Sequence, residues 1–134
     1  MAPQRTSMDV TITAYGTRGD VQPYVALGVG LTRAGHFVRL AAPAMFRSLA
    51  ERHGLRFAPL AGDPRILMEN AVASAGGRVN LLRISAVLLR YSVPLAREVM
   101  GDVREACRGT DAIIHSFLTT VVGHETALAL DVPD

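Results

Sequence analysis

Gly16-Thr17-Arg18-Gly19-Asp20-Val21-Gln22-Pro23 joins a strand-like run, Val10 to Tyr15, to a helix-like run, Tyr24 to Ala34. A strand, a tight glycine-bearing turn and a helix are how open α/β sheets begin, and such sheets bind ligands beyond the carboxyl ends of their strands. The turn therefore sets Arg18 and Asp20 where a ligand would be handled.

The rest of the chain fits that beginning. Met8 to Tyr15 is the first strand, with Val10, Ile12 and Ala14 alternating with polar positions. Pro23 suits the first turn of the next helix, where its missing N–H costs nothing. That helix carries Tyr24, Leu27, Gly28 and Leu31 on one face and stops at Ala34-Gly35, a C-cap signal. His36 to Ala42 is a nearly continuous apolar run, as a parallel strand requires. Met45 to His53 is a short helix and Leu55 to Pro59 a third strand; Ala112 to Phe117 is the fourth and Val121 to Leu130 the last helix. Residues 62–108 form a helical excursion between the third and fourth strands. It comprises a turn at Ala61-Gly62-Asp63-Pro64, a helix over 65–75 and a loop at Gly76-Gly77. A long helix follows, capped by Asn80, running to about Arg108 and kinked or split by Pro94. Residues 1–7 read as a loose leader. The expected fold is one α/β domain over 1–134, a Rossmann-like parallel sheet in the order 3-2-1-4 with helices on both faces.

Composition removes several chemistries. All 14 basic residues are arginine, which excludes a P-loop, a Schiff-base lysine and a lysine general base in this chain; a coding bias towards arginine accounts for it. Cys107 is the sole cysteine, so no intrachain disulfide or cysteine zinc cluster can form, and a reducing, cytoplasmic setting is expected. A net charge of +2 without a dense arginine cluster does not suit nucleic acid. No apolar run approaches the roughly 18 residues of a membrane span, and residues 1–9 lack the apolar core of a signal peptide. His124-Glu125 is not a zinc protease motif, because Leu128 stands where the second histidine must fall. No metal site is expected.

The turn's glycines are three apart, whereas a dinucleotide fingerprint needs G-x-G-x-x-G and an acid at the end of the second strand. That strand ends Ala41-Ala42-Pro43, so a nicotinamide or flavin cofactor is not expected. Arg18-Gly19-Asp20 also spells a cell-adhesion string, here a coincidence within a fold-forming turn.

The run GTRGDVQPYVALGVGLTRAGHFVRLAAPAMFRSLAERHGLRFAPLAGDP, Gly16 to Pro64, resembles the amino-terminal domain of glycosyltransferase family 28, the domain shared by bacterial natural-product glycosyltransferases and sterol glucosyltransferases. The resemblance weakens between Arg65 and Arg108 and returns over Asp111 to Pro133, at Gly123 and Leu128-Ala129-Leu130-Asp131-Val132-Pro133. It implies a GT-B fold, two Rossmann-like domains facing across a cleft, of which this chain is part of the acceptor-binding first. A nucleotide-diphosphate sugar would be held by a donor-binding domain outside these residues, in cis or in trans. No cofactor is expected to bind this chain alone.

The resemblance also implies roles. Asp20 matches the aspartate proposed as general base, which takes the acceptor hydroxyl's proton as its oxygen attacks the anomeric carbon in an inverting displacement. The residues alone allow another role, a cap on the helix starting near Val21, and the two can coexist. Gly16 and Gly19 fit backbone need, by positive φ or close approach. Thr17 belongs to the same turn, and Arg18 would pair with Asp20, touch donor phosphate or stay solvated. His115, Ser116, Thr119 and Thr120 close the fourth strand and are candidates to line the acceptor crevice. A structural, hydrogen-bonded His115 and an Asp–His relay are both open.

Met68, Leu81, Leu82, Ile84, Leu88 and Leu89 suit either a core-facing helix or a lid over a lipophilic acceptor such as a polyketide, macrolide, sterol or lipid. Arg83, Arg90, Arg97 and Arg104 recur every seven residues, as a solvated stripe or as a contact with anionic lipid, a peripheral membrane role. An exposed edge at strand four would invite pairing with another chain, a homodimer included. Two other functions stay open: a non-catalytic partner of a separate glycosyltransferase, and a plain nucleotide-binding Rossmann-like domain.

Overall fold

Strand β1 (Asp9–Thr13) runs through the middle of a four-stranded parallel sheet. It pairs with β2 (Phe37–Pro43) on one side and β4 (Ala112–His115) on the other, and β3 (Arg56–Leu60) adds to β2. The order β3-β2-β1-β4 is the expected one. The molecule is seen as a computed structural model that describes residues 7–74 and 81–134, without the side chains of Met68, Ala71, Ser74, Leu81, Arg83, Ile84, Val87 and Leu88. Leader residues 1–6, the Gly76-Gly77 loop and the Asn80 cap lie outside the described residues.

Two cores flank the sheet. Val10, Ile12, Val38 and Leu40 meet Val21 and Val25 of α1 (Arg18–Arg33) on one face, with Phe46, Ala50 and Leu55 from the α2 region (Arg47–Arg52). On the other face Ala41, Leu60 and Ile113 meet Val103, Ala106 and Cys107 of α4 (Leu81–Ala106) and its end, and Val122 and Ala127 of α5 (Thr120–Leu130). Helix α3 (Pro64–Ser74) packs on α4.

The alternation in β1 suggests a polar face, but Thr11 and Thr13 are as buried as Ile12. Their hydroxyls find partners on the α4 and α5 side: Thr11 donates to the Ala106 carbonyl at 3.4 Å and Thr13 to Thr119 Oγ1 at 3.0 Å. A central strand can bury hydroxyls when helix ends or loops offer acceptors.

Three expectations are corrected. Helix α1 begins at Arg18, so Pro23 lies inside it rather than in its first turn. The earlier start follows from the cap at Thr17, and the missing proline N–H falls opposite the Gly19 carbonyl. The inward face is centred on Val21, Val25 and Gly28, with Tyr24 and Leu31 half-buried at its border as expected and Leu27 turned outward. Pro94 neither splits nor ends α4, which is continuous through it. The outer edge of β4 is partly engaged by the chain itself, since the Ile113 N–H donates to the Pro133 carbonyl at 2.9 Å.

Candidate functional site

The carboxyl ends of β1 and β4 meet at one place. The Ser116 N–H donates to the Thr13 carbonyl at 2.8 Å and the Tyr15 N–H to Ser116 Oγ at 3.3 Å. Thr119 Oγ1 donates to the Thr13 carbonyl at 2.9 Å and accepts from the Ser116 N–H at 3.0 Å. Ser116 and Thr119 are both buried. Their hydroxyls are thus taken up in joining the two strand ends and do not offer free donors to a crevice. Thr120 likewise donates to the Ser116 carbonyl at 3.2 Å.

Above that junction stands the turn. Thr17 is the N-cap of α1 and Asp20 is its third residue. Asp20 Oδ2 accepts from the Thr17 N–H at 2.7 Å and the Thr17 hydroxyl at 2.8 Å. Asp20 therefore caps the helix by reaching back to Thr17, not as the N-cap itself. Both bonds act through Oδ2, and Oδ1 accepts none from the described residues. The Thr17 hydroxyl, then its backbone N–H, hold this solvent-exposed carboxyl below the usual carboxylate range. It is ionised at neutral pH with one oxygen fixed and the other open to solvent, the state a proton acceptor needs. Arg18 is exposed and makes no ion pair with Asp20 among the described residues.

The two glycines of the turn differ. Gly16 has φ +131°, and a Cβ there would sit 2.5 Å from Asp20 Oδ2. The bare backbone is what lets the carboxylate fold back onto Thr17. Gly19 meets neither expected need: its φ is ordinary and a Cβ would find only Thr17 Oγ1, at 3.9 Å. Gly19→Ala should therefore stabilise the domain by up to about 1 kcal/mol, read by denaturant unfolding. If turnover of a complete enzyme falls despite that gain, Gly19 keeps space for a ligand rather than for the fold.

A largely apolar cavity of about 320 Å³ has Tyr15, the residue before the turn, in its lining. Leu95, Val99 and Met100 of α4, Leu67 of α3, and Leu118, Val121 and Val122 of the η2–α5 segment form its walls, where η2 is the 3₁₀ turn Phe117–Thr119. Tyr15, Ser92, Thr119 and Glu125 are the polar residues of its lining, and of the expected crevice residues His115, Ser116, Thr119 and Thr120 it is Thr119 that reaches it. The sequence marks Tyr15 only as the end of the first strand. Its hydroxyl donates to the Ala61 carbonyl at 3.0 Å, while the Ala61 N–H donates to Asp102 Oδ2 at 2.7 Å. Burial, and then the nearby Asp63 charge, raise the Tyr15 pKa, so it stays protonated as a donor. Gly62, at φ +86°, closes the latch, because a Cβ there would lie 2.6 Å from both the Tyr15 hydroxyl and Leu95 Cδ1. Asp102 has only a faint signal in the sequence, a lone acid beside the apolar spacing Val99, Val103 and Ala106.

His115 stands apart from Asp20. It packs against Gly123 of α5, on the sheet face opposite α1, and its Nε2 lies 3.0 Å from Asp134 Oδ2. His124 Nδ1 shares the same oxygen at 2.9 Å. The carboxylate that His115 meets is thus Asp134, not the Asp20 of a relay. Cys107 is buried, and burial pushes its thiol up to about 11, which removes it as a nucleophile. Among the described residues no three His, Cys, Asp or Glu gather so as to hold a metal ion.

A parallel sheet, a capped aspartate at the first helix and an apolar cavity lined by Tyr15 coincide with a family match: residues 10–93 match the glycosyltransferase family 28 N-terminal domain. The chain belongs to glycosyltransferase family 28. It is 40% identical over 118 residues to the sterol 3-beta-glucosyltransferase of Eremothecium gossypii, a stretch covering 88% of this chain and 9% of that protein. To the enzyme of the same name from Yarrowia lipolytica it is 37% identical over 133 residues, 99% of this chain and 9% of that one. The chain thus spans about a tenth of the length of these curated relatives.

Solved structures give the same fold. The calicheamicin glycosyltransferase CalG4 superposes with a TM-score of 0.73 at 16% identity, covering 97% of this chain and 32% of that one. The glycosyltransferase VinC, solved with DTDP, gives 0.64 at 24% identity, covering 94% and 33%. This family 28 chain is accordingly a partial amino-terminal portion of a GT-B glycosyltransferase fold. No helix among its described residues is long and apolar enough to cross a membrane.

Proposed function

We propose that this family 28 domain binds the acceptor in an inverting transfer of a hexose from a nucleoside-diphosphate sugar to a hydroxyl of a lipophilic alcohol. The observation that carries the reading is a half-held carboxylate in a turn that starts directly after Tyr15, a residue of an apolar cavity. Asp20 keeps Oδ1 open while Thr17 fixes Oδ2, and Tyr15, one residue before Gly16, lines the cavity. A fused-ring or long-chain alcohol would bury its hydrocarbon against Leu95, Val99 and Met100 and leave its hydroxyl at the mouth. Asp20 would take the hydroxyl proton as the oxygen attacks the anomeric carbon, and the nucleoside diphosphate would leave from the opposite face. A single displacement of this kind inverts the anomeric centre. The sterol glucosyltransferase names of the relatives favour a sterol among the lipophilic acceptors.

The donor would be held by a second domain, in cis or in trans. The direct test joins this domain to a donor-binding half and supplies a nucleoside-diphosphate hexose with a sterol, a macrolide or a long-chain alcohol. Formation of the inverted glycoside supports the reading. Donor turnover to free sugar with no glycoside from any of these acceptors would remove it.

A pH dependence follows from the turn. Because Thr17 stabilises the charged form of Asp20, the acid limb of kcat/KM should lie below the range in which ordinary carboxylates titrate. Thr17→Val removes the hydroxyl bond, destabilises the carboxylate and moves that limb upward. The backbone bond remains, so the limb should stop short of the shift that complete release would give. A limb that does not move in Thr17→Val would separate the pH dependence from Asp20.

A further inference from the structure

We propose that Asp102 and Tyr15 are positioning residues that act through Ala61 to set the width of the apolar cavity, and so select which lipophilic alcohols it takes. The proposal rests on the reading of that cavity as the acceptor site. Both backbone polar groups of Ala61 are engaged by side chains, one from the residue before the turn and one from α4. The Ala61 carbonyl accepts from the Tyr15 hydroxyl at 3.0 Å, and its N–H donates to Asp102 Oδ2 at 2.7 Å. Asp102 follows Val99 by three residues and Leu95 by seven, so the three share one face of α4. Holding Asp102 therefore fixes the helix face that gives the cavity Leu95 and Val99. Next in the chain, Gly62 has φ +86°, and a Cβ there would lie 2.6 Å from both the Tyr15 hydroxyl and Leu95 Cδ1. Tyr15 and Leu95 thus both close onto bare backbone. The same loop leads into α3, which begins at Pro64 and brings Leu67 to the cavity.

Asp102, Ala61 and Gly62 do not themselves line the cavity. They join three parts of the chain whose side chains Tyr15, Leu67, Leu95 and Val99 do. Buried Val103 and Ala106 anchor the end of α4 in the core. Without the Asp102 bond, Leu95 and Val99 would be placed by apolar contact, which is non-directional. A hydrogen bond to a carboxylate is directional and among the stronger kinds. At about 320 Å³ the cavity lies at the small end of ligand pockets, which run from about 300 to about 1,000 Å³. A small outward shift of one wall therefore changes what fills it. The latch should accordingly matter more for the choice between two alcohols than for the binding of either one.

The test is equilibrium binding of two fluorescent alcohols to the 134-residue chain, with no sugar donor present. One is a fused-ring polyene sterol, dehydroergosterol, and the other a linear polyene, parinaryl alcohol. Asp102→Ala should weaken the discrimination between them, changing the ratio of their Kd values at least about fivefold. Asp102→Asn, whose amide oxygen still accepts from the Ala61 N–H, should keep the ratio near the parent's. Tyr15→Phe keeps the ring and loses the hydroxyl, so it should move the ratio the same way and add little to Asp102→Ala. It also carries the test if Asp102→Ala does not fold. Loss of folded protein lowers both affinities alike and leaves their ratio unchanged, so the ratio separates positioning from stability. An unmoved ratio in the folded variants overturns the proposal, as does an equal shift in Asp102→Asn or binding of neither alcohol by the parent. The transfer reading is judged apart from this. Glycoside formation in a complete enzyme with an unmoved ratio removes the latch alone, and a moved ratio with no glycoside removes the transfer alone.

Discussion

Asp20→Asn, placed in a glycosyltransferase that joins this domain to a donor-binding half, should lower kcat by about 10²–10⁴-fold. The amide can still accept from the Thr17 N–H and hydroxyl, so the helix cap and the fold survive. What it cannot do is take a proton from the acceptor hydroxyl. The loss should fall on kcat with little change in the acceptor KM, because the cavity walls are untouched. The acid limb of the rate should also disappear, since the group that titrates is gone. Steady-state kinetics with acceptor varied, together with a thermal melt of the isolated domain, checks both halves. Turnover within a few-fold of the parent in a folded variant would take the base role from Asp20 and leave it the cap alone.

Gly16→Ala should be the most damaging small change in the chain. Its φ of +131° lies where a Cβ is strained, and that Cβ would stand 2.5 Å from Asp20 Oδ2 and 2.8 Å from its Cγ. The backbone strain alone costs about 1–3 kcal/mol. Relief has to come from turning the Asp20 side chain away, which breaks both bonds to Thr17. A carboxylate displaced by about 1 Å forfeits roughly 10²-fold in rate, so the variant should lose stability and turnover together. The double variant Gly16→Ala with Asp20→Asn separates the two: its stability should stay low, while its rate should fall little further than in Asp20→Asn. Denaturant unfolding and initial rates on the same preparations give both numbers. Unchanged stability in Gly16→Ala would mean that the turn can adopt another backbone path.

Much of the fold is legible in the sequence because it follows from local patterning. The order of strands and helices, the parallel sheet and its 3-2-1-4 arrangement come from apolar runs, turn residues and the right-handed crossover rule. Where the reading misses, a local rule is overridden. Pro23 suggests a first turn, but the Thr17–Asp20 cap starts α1 at Arg18. Pro94 suggests a kink or a split, and the split does not occur: α4 runs through it while its stripe of Val99, Val103 and Ala106 packs on the sheet side. Alternation in β1 marks Thr11 and Thr13 as polar, and the Ala106 carbonyl and Thr119 hydroxyl are what let them be buried.

The candidate site divides in the same way. Gly16 to Asp20 is readable because cap, turn and carboxylate are contiguous, and their interactions span only three or four residues. His115, Ser116 and Thr119 fall near the right edge, but their partners Asp134, Tyr15 and Thr13 stand 19, 101 and 106 positions away in sequence. Tyr15, Ala61, Gly62 and Asp102 cannot be recognised as one latch, because their bonds join residues 41 and 46 positions apart. Short-range signals suffice for an α/β chain of family 28 with an aspartate at the head of its first helix, since periodicity, caps and turns act over a few residues. Which oxygen of Asp20 is open, which histidine turns to the other face, and where the apolar cavity lies are set by the packed fold. Those features depend on side-chain contacts between elements far apart in the chain, and no local pattern specifies them.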